Sequence, residues 1–359
     1  MKERNINLDI IRTIAILCVV FCHSVESIYK FNLSFARGLS TISKSFMFIS
    51  FTIGRLGVPL FLFLSGFLLL QKQINDEKDI FTFYKKNLIP LVIANSIWVI
   101  IYNIFFVITK QNNLVSFEFI IKELLFLKQV PLMNMWYMPI IIGTYLGIPF
   151  IAKLVKEFSF KSFTLILIVI FVTSFVLPQI NIIFKIVNYK ESYSSLLNLN
   201  FLGGAYGLYI LLGYFINQNK LFNNKTIIAI IGVIAFILAV ITQYVSTLKN
   251  SAILYSLWYN NPFLLICSAC LFLLLVTNKR KVINERISKC FTKISKISLS
   301  IFFIHVIVLY FVKPLIINLN IMLPLKVIGL FLITFIISTI VSLITSKFKV
   351  ISKYALVIK

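Results

Sequence analysis

The sequence predicts an all-α fold, a polytopic bundle of about ten transmembrane helices with both termini in the cytoplasm. Three observations predict it. Of 359 residues, 60% are hydrophobic and 13% charged, with mean hydropathy +0.97, an apolar share above that of soluble chains. Ten stretches are apolar and long enough to cross a hydrocarbon core of ~30 Å: 8–29, 46–70, 88–109, 134–152, 162–178, 199–217, 226–244, 259–277, 297–317 and 325–345. Of the 35 lysines and arginines, 22 fall in the loops of one side and 9 in those of the other, and the richer side is cytoplasmic. Residues 1–345 then form a single membrane domain and 346–359 a short basic cytoplasmic tail. The formal charge of +24 reflects this loop bias and does not point to nucleic acid.

Span 1 reads NLDIIRTIAILCVVFCHSVESIY. Arg12 and His23 stand eleven residues apart, about three turns, so both point from one face with ~16 Å between them along the axis. Asp9 can pair with Arg12 one turn later, and Glu26 can approach His23 in the same way. Ionisable groups in a membrane helix are costly and usually functional, although such a stripe can also serve packing. A neutral imidazole suits a general base. A nearby carboxylate, with Glu26 the local candidate, would orient it and stabilise its charged form. Arg12 suits bidentate contact with phosphate. No small-residue cleavage site follows, so span 1 does not read as a cleaved signal.

In span 2, Gly54, Gly57, Pro59 and Gly66 interrupt the helix, and exposed backbone at such breaks must face protein or a cavity. Arg55 lies near the outer end, where it either contacts a substrate headgroup or snorkels to the interface. Ser65 and Gly66 allow close helix approach. Before span 3, Lys85 and Lys86 stand at the cytosolic mouth, as diphosphate ligands or as solvated boundary lysines. Residues 111–133 read as an outer loop with a short interfacial helix. Trp136 and Tyr137, opening span 4, form an aromatic belt or line a glycan-binding mouth. Span 6 sets small residues beside Tyr206, Tyr209 and Tyr214, a pattern that packing explains.

Cys267 and Cys270 in span 8 have CxxC spacing, but no other soft ligand accompanies them, so they read as small core residues. The 278–296 loop carries seven positive charges that meet anionic headgroups or an anionic cytosolic ligand. His305 in span 9 is either a packed hydrogen-bond partner or a substrate-binding group. Two histidines without a Cys/His/Asp cluster make no metal site.

At these residues the chain resembles the membrane acyltransferase-3 family, bacterial integral-membrane O-acyltransferases of the surface-polysaccharide O-acetyltransferase type. The resemblance rests on Asp9-x-x-Arg12 followed by His23, on GVPLFLFLSGFLLL (57–70), MWYMP (135–139), LLGYFI (211–216) and SIFFIH (300–305), and it covers nearly the whole chain. It implies a cytosolic acetyl-CoA or other acyl-CoA donor substrate and a glycan or lipid-linked sugar acceptor from the other face of a bacterial plasma membrane. Membrane lipids are further partners and a homodimer fits the picture. Arg12 and His23 match the family's characteristic arginine–histidine pair, and the residues themselves make His23 the base, with Glu26 beside it. Arg12, with Lys85 and Lys86, would hold the coenzyme phosphates. Arg55, Trp136, Tyr137 and His305 would contact substrate, while Asp9, Ser65 and Gly66 support them. The family commonly carries arginines where this chain has Lys85 and Lys86, which keep the charge but lose the planar fork. Some larger relatives add an extracytoplasmic hydrolase-like domain. Without one, transfer is completed inside the membrane module or by a separate protein. The competing readings are a transporter or flippase of a lipid-linked glycan or small anion, suggested by buried charge and glycine-interrupted helices, and a membrane sensor or structural partner.

Overall fold

The computed structural model describes residues 5–110, 116–197, 203–218, 224–249, 255–277 and 284–358. Among these every regular element is helical. Eight helices are long and apolar enough to cross a membrane, as the all-α polytopic bundle requires. They are α1 (Ile6–Ile28), the pair α3 (Thr41–Arg55) and α4 (Gly57–Leu69), a span ending in α6 (Ile89–Thr109), α8 (Tyr137–Glu157), a span running from α9 (Phe160–Phe171) into α10 (Leu177–Ile186), α12 (Lys225–Lys249), the later part of α14 (Glu285–Ile317), and α15 (Leu323–Thr345). The spans expected at 199–217 and 259–277 are the shorter helices α11 (Gly204–Asn217) and α13 (Pro262–Val276). Four short helices complete the set: α2 (Leu33–Arg37), α5 (Glu77–Phe83), α7 (Phe117–Leu124) in the expected interfacial segment, and α16 (Lys349–Tyr354). Residues 111–115 of that segment lie outside the described residues.

Prolines set several boundaries. Pro262 and Pro324 occupy the first turns of α13 and α15, where a missing N–H costs nothing. Two π-helical segments, Tyr84–Leu88 and Val172–Val176, directly precede the helices begun by Pro90 and Pro178. Each proline deprives the carbonyl four residues earlier of its donor, and the π turn absorbs the mismatch. Pro59 does the same to the carbonyl of Arg55, and the α3–α4 span breaks at Leu56.

The sequence places 285–296 in a loop, but these residues form the first turns of α14. Residues 278–283 lie outside the described residues. At 33 residues, α14 runs about 50 Å, well beyond a ~30 Å core. Arg286, Lys289, Lys293 and Lys296 are exposed along this extension. The tail is docked rather than loose: the Trp98 indole N–H donates to the Ala355 carbonyl (2.9 Å), and Leu356 is buried.

The bundle is built around α1, which packs against α3, α4, α14 and α15. Its apolar stretch is 72% buried and that of α3–α4 is 83%, against 28% for α12 and α15. The former pair forms the interior and the latter faces lipid. At the crossing of α4 and α11 the backbones touch. A Cβ on Gly66 would lie 1.8 Å from the Ile210 carbonyl oxygen, and one on Gly213 would lie 2.3 Å from that of Phe63. Only glycine fits at either position.

Candidate active site

Helices α1 and α14 lie side by side and parallel, so their polar residues meet in register. At one end, Asp9 is buried and accepts from the hydroxyls of Ser295 (2.7 Å) and Thr292 (3.0 Å). The Arg12 guanidinium donates to Ser295 Oγ (3.1 Å) and stands 4.0 Å from Asp9. Its side chain remains 29% exposed, because it opens on a cavity of about 220 Å³. Ser65, Tyr137, Tyr145, Ser298 and Phe302 contribute to the walls. Tyr137 is therefore an interior residue rather than part of a surface belt.

Eleven residues along α1, His23 faces α14 again. Its ring stacks on that of His305, with centroids 5.4 Å apart and planes inclined by 25°. Phe302 connects this pair to the cavity: its ring is 6.1 Å from His305 and 5.8 Å from Tyr137. The hydrogen bonds fix the tautomers. His23 Nδ1 lies 2.8 Å from Glu26 Oε2. An ionised carboxylate only accepts, so Nδ1 carries the proton and Nε2 is left as the lone-pair nitrogen. His305 Nδ1 lies 3.0 Å from the Ile301 carbonyl, which imposes the same tautomer. His305 Nε2 is buried without a partner.

Glu26 is shared. Its second oxygen accepts from Arg55 Nη2 at 2.9 Å, so carboxylate and guanidinium form a buried ion pair, 6% and 2% exposed. Arg55 thus lies inside the protein, at the α3–α4 break, and does not snorkel. Its other amino group donates to the Tyr259 hydroxyl (3.3 Å). Its planar face is enclosed by Phe51, Tyr255, Trp258 and Tyr259, at 4.6–5.5 Å from the ring centroids. Such a cage offsets part of the desolvation that makes a buried pair expensive. Burial first, then the Glu26 carboxylate, pushes the Tyr255 hydroxyl up to about 12, so it is a neutral phenol at physiological pH. Trp136 stacks on Tyr259 at 5.1 Å and lies 5.3 Å from Trp258.

The structure therefore brings together Asp9 and Arg12 at one end, and His23, Glu26, Arg55, His305 and Trp136 at the other, with Tyr137 and Ser65 on the cavity between. Lys85 and Lys86 are exposed in the π-helical turn and are not among the residues lining that cavity. Gly66 acts in the contact with α11. Among the described residues no cluster of His, Cys, Asp and Glu has the makeup of a metal site.

Sequence reasoning missed the 255–261 loop, which supplies three walls of the Arg55 cage. Gln243 Oε1 accepts from the Ser256 hydroxyl (3.2 Å) and the Leu257 N–H (2.9 Å). Asn261 donates to Gln179 Oε1 (2.8 Å) and caps α13. The signal was present as the aromatic cluster in YSLWYNN (255–261).

The family model described as an acyltransferase domain, acyltransferase 3, matches residues 5–346. No curated protein and no solved structure matches the chain.

Proposed function

Because the chain belongs to the acyltransferase-3 family and is an acyltransferase with multiple membrane-spanning helices, we propose that it moves an acyl group from a cytosolic acyl-CoA, acetyl-CoA foremost, to a hydroxyl of an extracytoplasmic or lipid-linked glycan. The observation that carries this reading is the chain Arg55–Glu26–His23 beside His305, with Phe302 packed between His305 and the cavity on which Arg12 opens.

His23 Nε2 takes the proton of the acceptor hydroxyl as the oxygen attacks the thioester carbonyl. The tetrahedral adduct collapses, the C–S bond breaks, and the imidazolium returns its proton to the departing thiolate. Glu26 holds the Nδ1–H tautomer and stabilises the imidazolium. Arg12 anchors coenzyme phosphate, and Asp9 with Ser295 holds the guanidinium at the cavity wall. Lys85 and Lys86 serve as an outlying cationic surface for the same donor. Trp136, Tyr137 and His305 line the acceptor side. The membrane is a bacterial plasma membrane on this reading, and the positive-inside bias supports an orientation with the Arg12 end cytosolic.

The test is a purified-protein assay with acetyl-CoA and surface or lipid-linked glycan, read as a gain of one acetyl group by mass spectrometry. Wild type is expected to give a donor-dependent product. His23→Ala is expected to lose ~10²–10⁴-fold of that rate while still binding donor. Full turnover by His23→Ala would overturn the base assignment, and unmodified glycan crossing the membrane would replace the enzyme reading with a transporter.

A further inference from the structure

His23 and His305 are not among the residues that line the cavity on which Arg12 opens. Along α14 the way between them is short. Ser295 holds Arg12, Ser298 and Leu299 line the cavity, and Phe302 stands between it and His305. From Ser295 to Phe302 the rise is about 10 Å, and from Phe302 to His305 about 5 Å more. Phe302 is held firmly. The Asn134 amide donates to its carbonyl (2.9 Å), and the Tyr102 hydroxyl donates to the carbonyl of Phe303. Three residues after Asn134, the Tyr137 ring packs edge-on against that of Phe302 at 5.8 Å, and Phe303 stacks on Trp98 at 5.1 Å. The segment 134–137 thus fastens the Phe302 backbone and braces its ring. Among the described residues that line the cavity, only Arg12 is charged.

We propose that Phe302 is the acyl-size filter of this enzyme, passing acetyl and rejecting longer or charged acyl groups. The inference rests on the proposed transfer from acyl-CoA and names which donors that site accepts. With the donor's phosphates at Arg12 and its thioester directed to His23, the acyl group is the donor's leading end. It has to pass the Phe302 ring before the carbonyl comes up to Nε2. Beyond its carbonyl an acetyl group carries a single methyl. Each methylene added to it is pressed against an aromatic wall braced on two sides, and crowding of this kind is destabilising. A succinyl group would also bring a carboxylate into apolar surroundings, a costly transfer, with Arg12 behind it and Arg55 already paired with Glu26.

The experiment uses the full-length protein in nanodiscs and measures kcat/KM for acetyl-, propionyl-, butyryl- and succinyl-CoA, with the surface-glycan acceptor of the transfer assay held constant. Ratios between donors within one protein do not depend on the fraction that is folded. Wild type is expected to favour acetyl by ~10-fold or more for each added methylene. Phe302→Ala should lower the acetyl-to-propionyl and acetyl-to-butyryl ratios at least ~10-fold. Succinyl-CoA should stay a poor donor, because the change adds room and no charge. Phe302→Leu, a milder truncation, should shift the ratios in the same direction and replaces the alanine variant if that fails to fold. Leu91→Ala, on the cavity wall in the first turn of α6, should leave the ratios unaltered. A wild type that uses butyryl-CoA as well as acetyl-CoA, unchanged ratios in the Phe302 variants, an equal shift in Leu91→Ala, or succinyl transfer gained together with butyryl would each overturn the assignment while leaving acyl transfer itself standing. A wild type inactive with every donor would instead defeat the proposed function, and this inference with it.

Discussion

His23 has one nitrogen committed to Glu26 and the other free to take a proton, and that asymmetry is set by a carboxylate that Arg55 holds in place. Glu26→Gln keeps the shape of the contact but can donate toward Nδ1, which favours the wrong tautomer. Its expected outcome is a fall in the rate of transfer of at least ~10²-fold, within the range of general-base contributions, with donor affinity unchanged. Arg55→Ala leaves a buried carboxylate uncompensated and should cost about 3–5 kcal/mol of stability. Combining it with Glu26→Gln should recover much of that loss, read as thermal unfolding in detergent. Strict additivity of the two changes would contradict the pairing. The four polar residues of span 1 were legible because a helix repeats every 3.6 residues and the rest of the span is apolar. The role of Arg55 was not. Its partner lies 29 residues away, and a lone arginine near the end of an apolar run carries no sign of whether it turns inward.

The α3–α4 break shows how an element can place such a residue. Pro59 cannot donate to the Arg55 carbonyl, and the chain turns at Leu56. Pro59→Ala restores that donor. It is expected to lower transfer more than it lowers stability, because a continuous helix would redirect Arg55 away from Glu26; unaltered turnover would show the break to be incidental. At the α4–α11 crossing, Gly213→Ala drives a methyl group into the Phe63 carbonyl and should cost ~1–3 kcal/mol as overpacking. In α7, Glu123 is buried and accepts from Asn103 (2.6 Å), and desolvation holds its carboxyl above the ordinary range despite that bond. The folded state then favours the protonated form. Its contribution to stability is full below the unfolded carboxyl pKa and is lost as pH rises through the folded one. Glu123→Gln should flatten this slope in melting curves taken across that window. The spans themselves were legible from apolar length. The 255–261 loop was not, since its shape comes from Gln243 and Asn261 and follows no periodic pattern.

Across the whole molecule, the expected sidedness can be checked with a native residue. Cys290 is exposed on the basic extension of α14, whereas Cys18, Cys22 and Cys267 are buried. A membrane-impermeant maleimide should label Cys290 in inside-out vesicles and spare it in intact cells; the reverse pattern would invert the topology. The overall architecture was readable from hydropathy and charge, but the neighbour of α1 was not, because no pattern along the chain says that residues 9 and 23 will meet residues 292 and 305. That alignment makes α1 and α14 one stiff bar fastened near both ends. A bar of this kind is a gauge. Under the proposed mechanism it holds the anchor for a donor's anionic end and the nitrogen that must reach its carbonyl at a set spacing of ~16 Å along the axis. Molecules are thereby sorted by reach before any chemistry begins, and one with too short an arm would dock and remain idle.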